Sequence, residues 1–323
     1  MHARPFEQLL KQLPALTRRQ RERLLEVLAP AAKLDKTVDL IEQAVSGRLA
    51  CPRCQSRHFY RHGRAHGLQR YRCKDCGRTC NALSGTEMAR LRHKEHWLDY
   101  LGGMLDSRSI RRSAADLGVA GATSFRWRHR FLTVSKDDRV QCLAGIAEAD
   151  EMYVLESHKG ARKLDRPPRK RGGKATKRGI SHEQVCVLVA RDRTGQTLDW
   201  VPGTGPVTRQ QLHQHLLPRL ERDVLLVTDA HGAYRAFARD TGITHETINL
   251  QAGVRVRGAI HVQNVNAYHS RLRGWLLPFR GVASRYLPNY LGWRWALDGG
   301  RVGSAEDLLR AALGATQQAT FHT

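Results

Sequence analysis

An aspartate ends the apolar run Val224-Leu-Leu-Val-Thr-Asp229, where a strand buried on both faces gives way to Ala-His-Gly. A carboxylate at a strand end is held rigidly at the rim of a sheet, a setting suited to a divalent metal ion. A second acid, Asp150, sits inside Gly145-Ile-Ala-Glu-Ala-Asp150-Glu-Met-Tyr-Val-Leu155, which alternates apolar and polar residues as a strand does. A bare acid there is disfavoured unless a cation compensates its charge. Two-residue periodicity puts Glu148 on the face of Asp150 and turns Glu151 away. A helix is expected from Asn266 onward, with Asn266, His269, Ser270 and Arg273 at i, i+3, i+4 and i+7 on one polar face. That face joins a candidate metal ligand to a cation suited to phosphate. The plainer alternatives are a turn aspartate at 229 and a solvated edge strand around 150.

A different metal chemistry is written upstream. Cys51-Pro-Arg-Cys54 is followed after eighteen residues by Cys73-Lys-Asp-Cys76. Each Cys-x-x-Cys knuckle places two thiolates on one tight turn, and two knuckles complete a closed tetrahedral site for structural zinc. Cys80, His58 and His62 are near enough in sequence to compete, but the paired spacing favours Cys51, Cys54, Cys73 and Cys76. Arginines 57, 61, 64, 70 and 72 interleave with Phe59, Tyr60 and Tyr71 between the knuckles, a surface suited to phosphate.

Lys and Arg number 54 against 30 Asp and Glu, for a net charge of +24. A surplus this large concerns partners rather than fold, and polyanions are the obvious ones. No long apolar run or export signal is visible, which points away from a membrane and toward the cytoplasm, where seven cysteines favour metal over disulfides.

The elements that must hold these groups read as a multidomain α+β and α/β chain. Residues 1–48 have the periodicity of a helical pair, with a helix start near Thr17, and 49–83 form the zinc ribbon. Residues 84–138 look helical. Ser109 to Gly118 followed by Thr123 to Phe131 has the outline of a helix-turn-helix, with Gly118 closing the first helix and Thr123 capping the second. Arg126, Arg128 and Arg130 would load that second helix for DNA. A region from 139 to 298 holds the acids and contains, at 157–181, a basic stretch with Pro167-Pro168 and Gly172-Gly173 that cannot pack a core. This stretch reads as a mobile loop whose Lys170 and Arg171 could clamp DNA. A hairpin follows, turning at Gly195, then a helix over 208–220. Strand, hairpin, helix, strand and a further helix is the order of an RNase H-like mixed sheet. Tyr286 to Leu297 is an aromatic helix, and 299–323 hold a short C-terminal helix and tail.

The aspartate in a first strand, the stretch Thr228-Asp-Ala-His-Gly-Ala-Tyr234 and the stretch His261 to Leu276 together resemble the DDE-type insertion-sequence transposases with an N-terminal zinc ribbon, the ISXO-type group. Asp229 precedes Asn266 by 37 positions, close to the family spacing, and Arg273 falls where the family commonly has a basic residue. The resemblance implies an RNase H-like catalytic domain in which Asp150, Asp229 and Asn266 hold two Mg²⁺ (or Mn²⁺) ions roughly 4 Å apart. It also implies binding of double-stranded terminal inverted repeats and target DNA by a homo-oligomer, with strand cleavage and strand transfer in a bacterial cytoplasm, on the nucleoid. The departure is Asn266, where most members carry glutamate. An amide offers only a neutral oxygen, which would weaken the second metal or leave Asn266 orienting water while Glu148, Glu151 or a DNA phosphate completes the shell. From another function class, the same features suit a non-catalytic zinc-ribbon DNA-binding regulator on an inactivated nuclease-like domain.

Overall fold

Thr17 opens the longest helix with a reciprocal cap: its side chain accepts from the Gln20 amide, and Gln20 returns the bond to the Thr17 amide. The computed structural model describes residues 3–133, 142–164, 166–169, 172–248, 253, 255–279 and 281–314. Helix α1 (Ala3–Gln12) precedes α2 (Arg18–Val45), of which only Thr37, Val38, Leu40 and Ile41 are buried. The ribbon is a three-stranded antiparallel sheet of β1 (Phe59–Ala65), β2 (Leu68–Cys73) and β3 (Thr79–Cys80).

Residues 84–93 form turns rather than the expected helix, and α3 (Trp97–Leu105), α4 (Ile110–Asp116) and α5 (Gly121–Phe131) follow. Ser109 caps α4, and Gly118, at φ +63°, makes the turn that leads to α5. Thr123 does not cap α5; the helix begins two residues earlier, because Ser124 is already fastened inside it, donating to Ile110 O at 2.9 Å while its carbonyl accepts from Tyr100 Oη at 2.6 Å.

The chain then enters a five-stranded mixed sheet. Strands β4 (Ile146–Leu155), β5 (Gln184–Asp192) and β6 (Thr197–Thr204) are antiparallel neighbours; α6 (Arg209–His215) crosses to β7 (Leu225–Asp229), and α7 (Gly232–Thr241) to β8 (Thr244–Ile248). Spatial order is β6-β5-β4-β7-β8, with β4, β7 and β8 parallel. That is the RNase H-like arrangement: a hairpin meander extended by two parallel crossover units. The expected 208–220 helix is cut short after His215, and Leu217–Arg219, with Pro218, forms a 3-10 turn. A small ladder of β9 (Val256–Arg257) and β10 (Ile260–His261) leads into α8 (Gln263–Leu276), then α9 (Leu287–Asp298) and α10 (Ala305–Ala312).

The sheet separates two apolar layers. Ala147, Ala149, Leu188, Ala190 and Leu226 pack on one side with Tyr234 and Phe237 of α7; Val187, Val189 and Val227 pack on the other with Val265, Tyr268 and Leu272 of α8. A third core joins Ile41 of α2, the α3 and α5 aromatics, Trp293 of α9 and Leu309 of α10, so the C-terminal helix closes against the N-terminal half. The aromatic residues of α9 are core, as their helical spacing suggests. Among the described residues no helix is long and apolar enough to cross a membrane.

Asp298, at the end of α9, ties three elements. It accepts from Arg191 of β5 at 2.8 Å, Arg271 of α8 at 2.8 Å and Arg294 at 2.9 Å. Burial alone would raise its carboxyl, but the three guanidinium groups outweigh it and bring the pKa down to about 2. Replacing Asp298 by Ala leaves those cations facing one another around a nearly buried position, and should cost about 3 kcal/mol of stability at neutral pH. Urea denaturation followed by tryptophan fluorescence measures the loss.

Candidate active site and zinc centre

The parallel pairing of β4 with β7 puts Ala147 beside Leu226, Glu148 beside Val227 and Ala149 beside Thr228. The next residues on each strand are Asp150 and Asp229. Residues in register on parallel neighbours point to the same face, one strand spacing apart, and here that face is the one covered by α8. Two acids 79 positions apart in the chain are thus side by side at the C-terminal end of β7. Asp229 Oδ1 accepts from the His231 amide at 3.0 Å, which steadies it as α7 starts.

Helix α8 lies over this pair because a third acid holds it there. Glu148, fully buried, points to the same side as Asp150, and its Oε2 accepts from the Val265 amide at 2.9 Å. Val265 is the third residue of α8, whose amide has no partner within the helix. A carboxylate from the neighbouring strand therefore acts as the cap, and its charge suits the helix N-terminus. No side chain of the preceding residue, Val262, could do this, which explains why α8 begins at Gln263, three residues before the start expected from sequence. Arg193, on the β5–β6 turn, bonds the other carboxylate oxygen, with His261 Nδ1 at 3.3 Å; Arg193 also donates to Ala259 O at 2.6 Å. Glu148 is thereby committed to protein partners and is not free to complete a metal shell.

One turn along α8, His269 is buried with Nδ1 3.6 Å from Asp150 Oδ2, and its Nε2 has no hydrogen-bond partner. The sequence offered His269 only as one member of a polar face; its place beside Asp150 depends on how α8 is rotated over the sheet. Tyr268 sets that rotation by donating to Asp199 of β6 at 2.7 Å, on the far flank from β7. At 100° per residue, Asn266 and Arg273 then fall on the opposite flank, where both are exposed, and Arg273 lines a cavity with Met152 and Val154 of β4. Asn266 is one turn before His269, and Arg273 one turn after it. The two aspartates are brought together directly; Asn266 and Arg273 stand exposed on the helix beside them.

Glu151 points the other way, as two-residue periodicity requires, and accepts a hydrogen bond from Tyr234 Oη of α7. Burial, against the bond from Tyr234 and helped by the charges of Asp150 and Asp229, pushes its carboxyl up to about 7. It is no more available than Glu148 as a replacement ligand.

In the ribbon, the Gln55 amide bonds Cys51 O at 2.8 Å and the Gly77 amide bonds Cys73 O at 3.0 Å, so both knuckles make the same turn. The four Sγ atoms lie within 4.8 Å of one another, with Cys51–Cys76 at 3.5 Å and Cys54–Cys73 at 3.6 Å. A tetrahedron with zinc–sulfur bonds of 2.3 Å has edges of about 3.8 Å, so the thiols fit that ion. Backbone amides of Cys54 and Arg53 lower the Cys51 thiol to about 6, favouring the thiolate a metal takes. Cys80 is buried outside the set, and His58 pairs with Asp75 at 3.5 Å. Among the described residues this is the one compact group of three or more Cys, His, Asp or Glu side chains. The aspartate pair has no third such side chain within that mutual distance, although His269 is 3.6 Å from Asp150.

The expected DNA-facing row on α5 is corrected. Arg126 is exposed, but Arg128 is fully buried with Nη2 on Arg108 O at 2.7 Å, and Arg130 donates to Glu87 O and Ala89 O at 2.9 and 3.1 Å. Residues two apart on a helix are 200° apart, so the three could not share one face. In the basic stretch, Lys170 and Arg171 lie outside the described residues. The parts described are anchored rather than free: Glu183 accepts from Arg169 at 3.1 Å and from the Thr176 amide at 2.7 Å, and Lys159 Nζ donates to Gly281 O at 2.8 Å.

A five-stranded RNase H-like sheet with two aligned aspartates under a capped helix, attached to a four-cysteine ribbon, defines a class of nucleic-acid-processing proteins. The chain belongs to the ISXO2-like transposases: residues 142–295 match the family described as ISXO2-like transposase domain. Residues 45–77 match the InsA N-terminal domain, a zinc ribbon, which with the thiol geometry supports structural zinc. A relative from Halobacterium salinarum, described as an uncharacterized protein in transposable element ISH50, is 32% identical over 244 residues, covering 75% of this chain and 82% of that one. Among solved structures, a simian T-cell lymphotropic virus intasome is similar at 12% identity and TM-score 0.28, over 60% of this chain and 66% of that chain. A pre-cleavage Mos1 transpososome is similar at 13% identity and TM-score 0.21, over 62% and 78%. Superpositions that loose add nothing about the site.

Two outcomes follow from the site. Glu148→Gln should weaken the cap on α8, and amide exchange at Val265 should accelerate roughly tenfold, since a bond to a charged acceptor is worth about 1.5–3 kcal/mol. Unchanged exchange there would mean that α8 is held by apolar packing alone. The raised Glu151 carboxyl favours the protonated folded state, so its stabilising contribution is complete below the unfolded value of 4.5 and is lost as pH rises through about 7. In zinc-loaded protein without added Mg²⁺, the melting temperature of Glu151→Gln should therefore decline less than that of wild type between pH 5 and 8.

Proposed function

We propose that the chain is an active transposase of an insertion sequence, which binds the terminal inverted repeats of its element and catalyses DNA strand cleavage and strand transfer. The observation that carries this reading is the register of β4 and β7, which aligns Asp150 with Asp229 on the face covered by α8. Two adjacent carboxylates offer the hard oxygen ligands that Mg²⁺ or Mn²⁺ takes. Asp150 and Asp229 would hold the ions, with the Asn266 amide oxygen as a neutral third ligand from the α8 shoulder. Bound there, such ions lower the pKa of a coordinated nucleophile and neutralise charge on the leaving oxygen.

The residues of the chain do the rest by position. Arg273, exposed on the same flank as Asn266, holds a phosphate of the scissile strand. His269 orients Asp150 from behind, and Glu148 keeps α8 over the acids. Water attacks phosphorus in line and a 3′-hydroxyl leaves; that hydroxyl then attacks a phosphodiester of target DNA, so no covalent enzyme intermediate is needed. Residues 49–83 and 84–138 approach the DNA while 139–298 carry the chemistry. Two or more copies assemble on paired ends in the cytoplasm, on bacterial nucleoid DNA.

One observation favours a rival. The third position is an amide and the neighbouring glutamates are committed elsewhere, as a DNA-binding regulator on an inactivated nuclease domain would have it. A nicking assay on terminal-repeat duplex with Mg²⁺ separates the two. Cleavage by wild type should fall at least about a hundredfold in Asp150→Asn and in Asp229→Asn, because each removes charge worth several kcal/mol in the transition state. Gel-shift affinity should be unchanged. Shifted bands without nicking in wild type would establish the regulator, and normal cleavage by either variant would sink the metal-site assignment.

A further inference from the structure

A cavity of about 880 Å³ opens where α4 and α5 meet the loop after β4 and the connection from α8 to α9. Its charged lining is all basic: Arg111, Arg128, Lys159 and Arg285, with no Asp or Glu. One wall is an aromatic shelf. His129 stacks on Tyr286 at 3.7 Å and 21°, Phe125 meets His129 at 4.4 Å and Tyr286 at 5.5 Å, and Phe125 is 39% exposed. The Arg285 guanidinium lies 4.9 Å from the Tyr286 ring centre.

Behind the shelf is Arg128, with none of its surface exposed. Its Nη2 donates to Arg108 O, but Nε and Nη1 have no hydrogen-bond partner. Rings of Tyr100, Phe279 and Trp293 surround it at 5.3–5.9 Å. The Tyr290 hydroxyl also lies against this guanidinium, and with no Asp or Glu in the cavity lining its charge adds to the positive potential of the wall. Burial, then the charges of Arg128 and Arg285, lower His129 to about 4, so at neutral pH its ring is uncharged and serves as a stacking surface.

Basic charge beside the exposed ring of Phe125 and the edge of the His129–Tyr286 stack fits a nucleotide whose base has left the duplex. A paired base has both faces covered by its neighbours and cannot reach such a shelf, whereas an unpaired one stacks on it irrespective of sequence. We propose that this cavity receives one unpaired nucleotide of bound DNA, its base against Phe125, His129 and Tyr286 and its phosphate toward Arg111 and Arg285. The inference rests on the DNA-binding reading above. The strand carrying Asp150 and the helix carrying Asn266 both lead into segments that line the cavity, at Lys159 and Pro278.

The test uses full-length zinc-loaded protein without added Mg²⁺ and without chelator, and fluorescence anisotropy with three terminal-repeat duplexes. One is blunt, one carries a three-nucleotide single-stranded 3′ extension, and one carries the same extension with abasic sites. Wild type should bind the extended duplex roughly tenfold tighter than the blunt one, within the range of aromatic–base stacking. The abasic extension should lose most of that gain. Tyr286→Ala and Phe125→Ala should bring the extended duplex to the blunt affinity and leave the blunt affinity unchanged, while Tyr286→Phe keeps the preference. Equal binding of all three duplexes by wild type would overturn the site, as would an equal loss on blunt and extended DNA in both alanine variants. Failure to bind any duplex would remove the DNA-binding reading itself, and the site with it.

Discussion

The buried carboxylate of Glu148 is the constraint on which the geometry of the candidate site depends. A charge with no exposed surface in the middle of a sheet is tolerated because each oxygen is matched, one by the Val265 amide and the other by Arg193 and His261. The same bonds fix where α8 begins and how far it sits along β4. Once that is settled, His269 reaches Asp150 and Asn266 falls on the exposed flank of the helix. A site built from two strands and one helix needs such a link, because apolar packing alone lets a helix slide and turn over a sheet.

The opposite end of α8 is held by charge as well. Arg271 and Arg191 meet on Asp298, which also binds Arg294, so β5, α8 and α9 are joined at one acid. Between these two ion clusters, Tyr268 hooks onto Asp199 at the β6 side. Three polar contacts thus define translation, rotation and tilt of one helix whose apolar face supplies the energy of docking.

The zinc ribbon illustrates the other extreme of legibility. Its ligands are local: two turns of four residues each bring thiols together, so spacing alone identified the set that the folded chain assembles. The strands bearing Asp150 and Asp229 were legible from alternation and from an apolar run, and the RNase H-like order from the succession of elements. The arginines of α5 were misread as a DNA-facing row because a count of charges along a helix ignores the 100° step. Arg128 faces inward, and its charge went unrecognised as part of a cavity formed only when α5 meets Tyr286 and Phe279.

By itself the sequence determined what is local or periodic: the thiol knuckles, which strands are buried, the opposite facing of Glu148 and Glu151, and the helix start near Thr17. Tertiary structure alone decided which acids are spent on holding the fold and which remain for chemistry. Glu148 and Asp150 are two residues apart on one face, yet the first meets a helix terminus and an arginine from 45 positions away, while the second, beside His269, keeps part of its surface exposed. The difference lies in partners brought by remote segments, and the energy of a buried charge depends on those partners rather than on its neighbours in the chain.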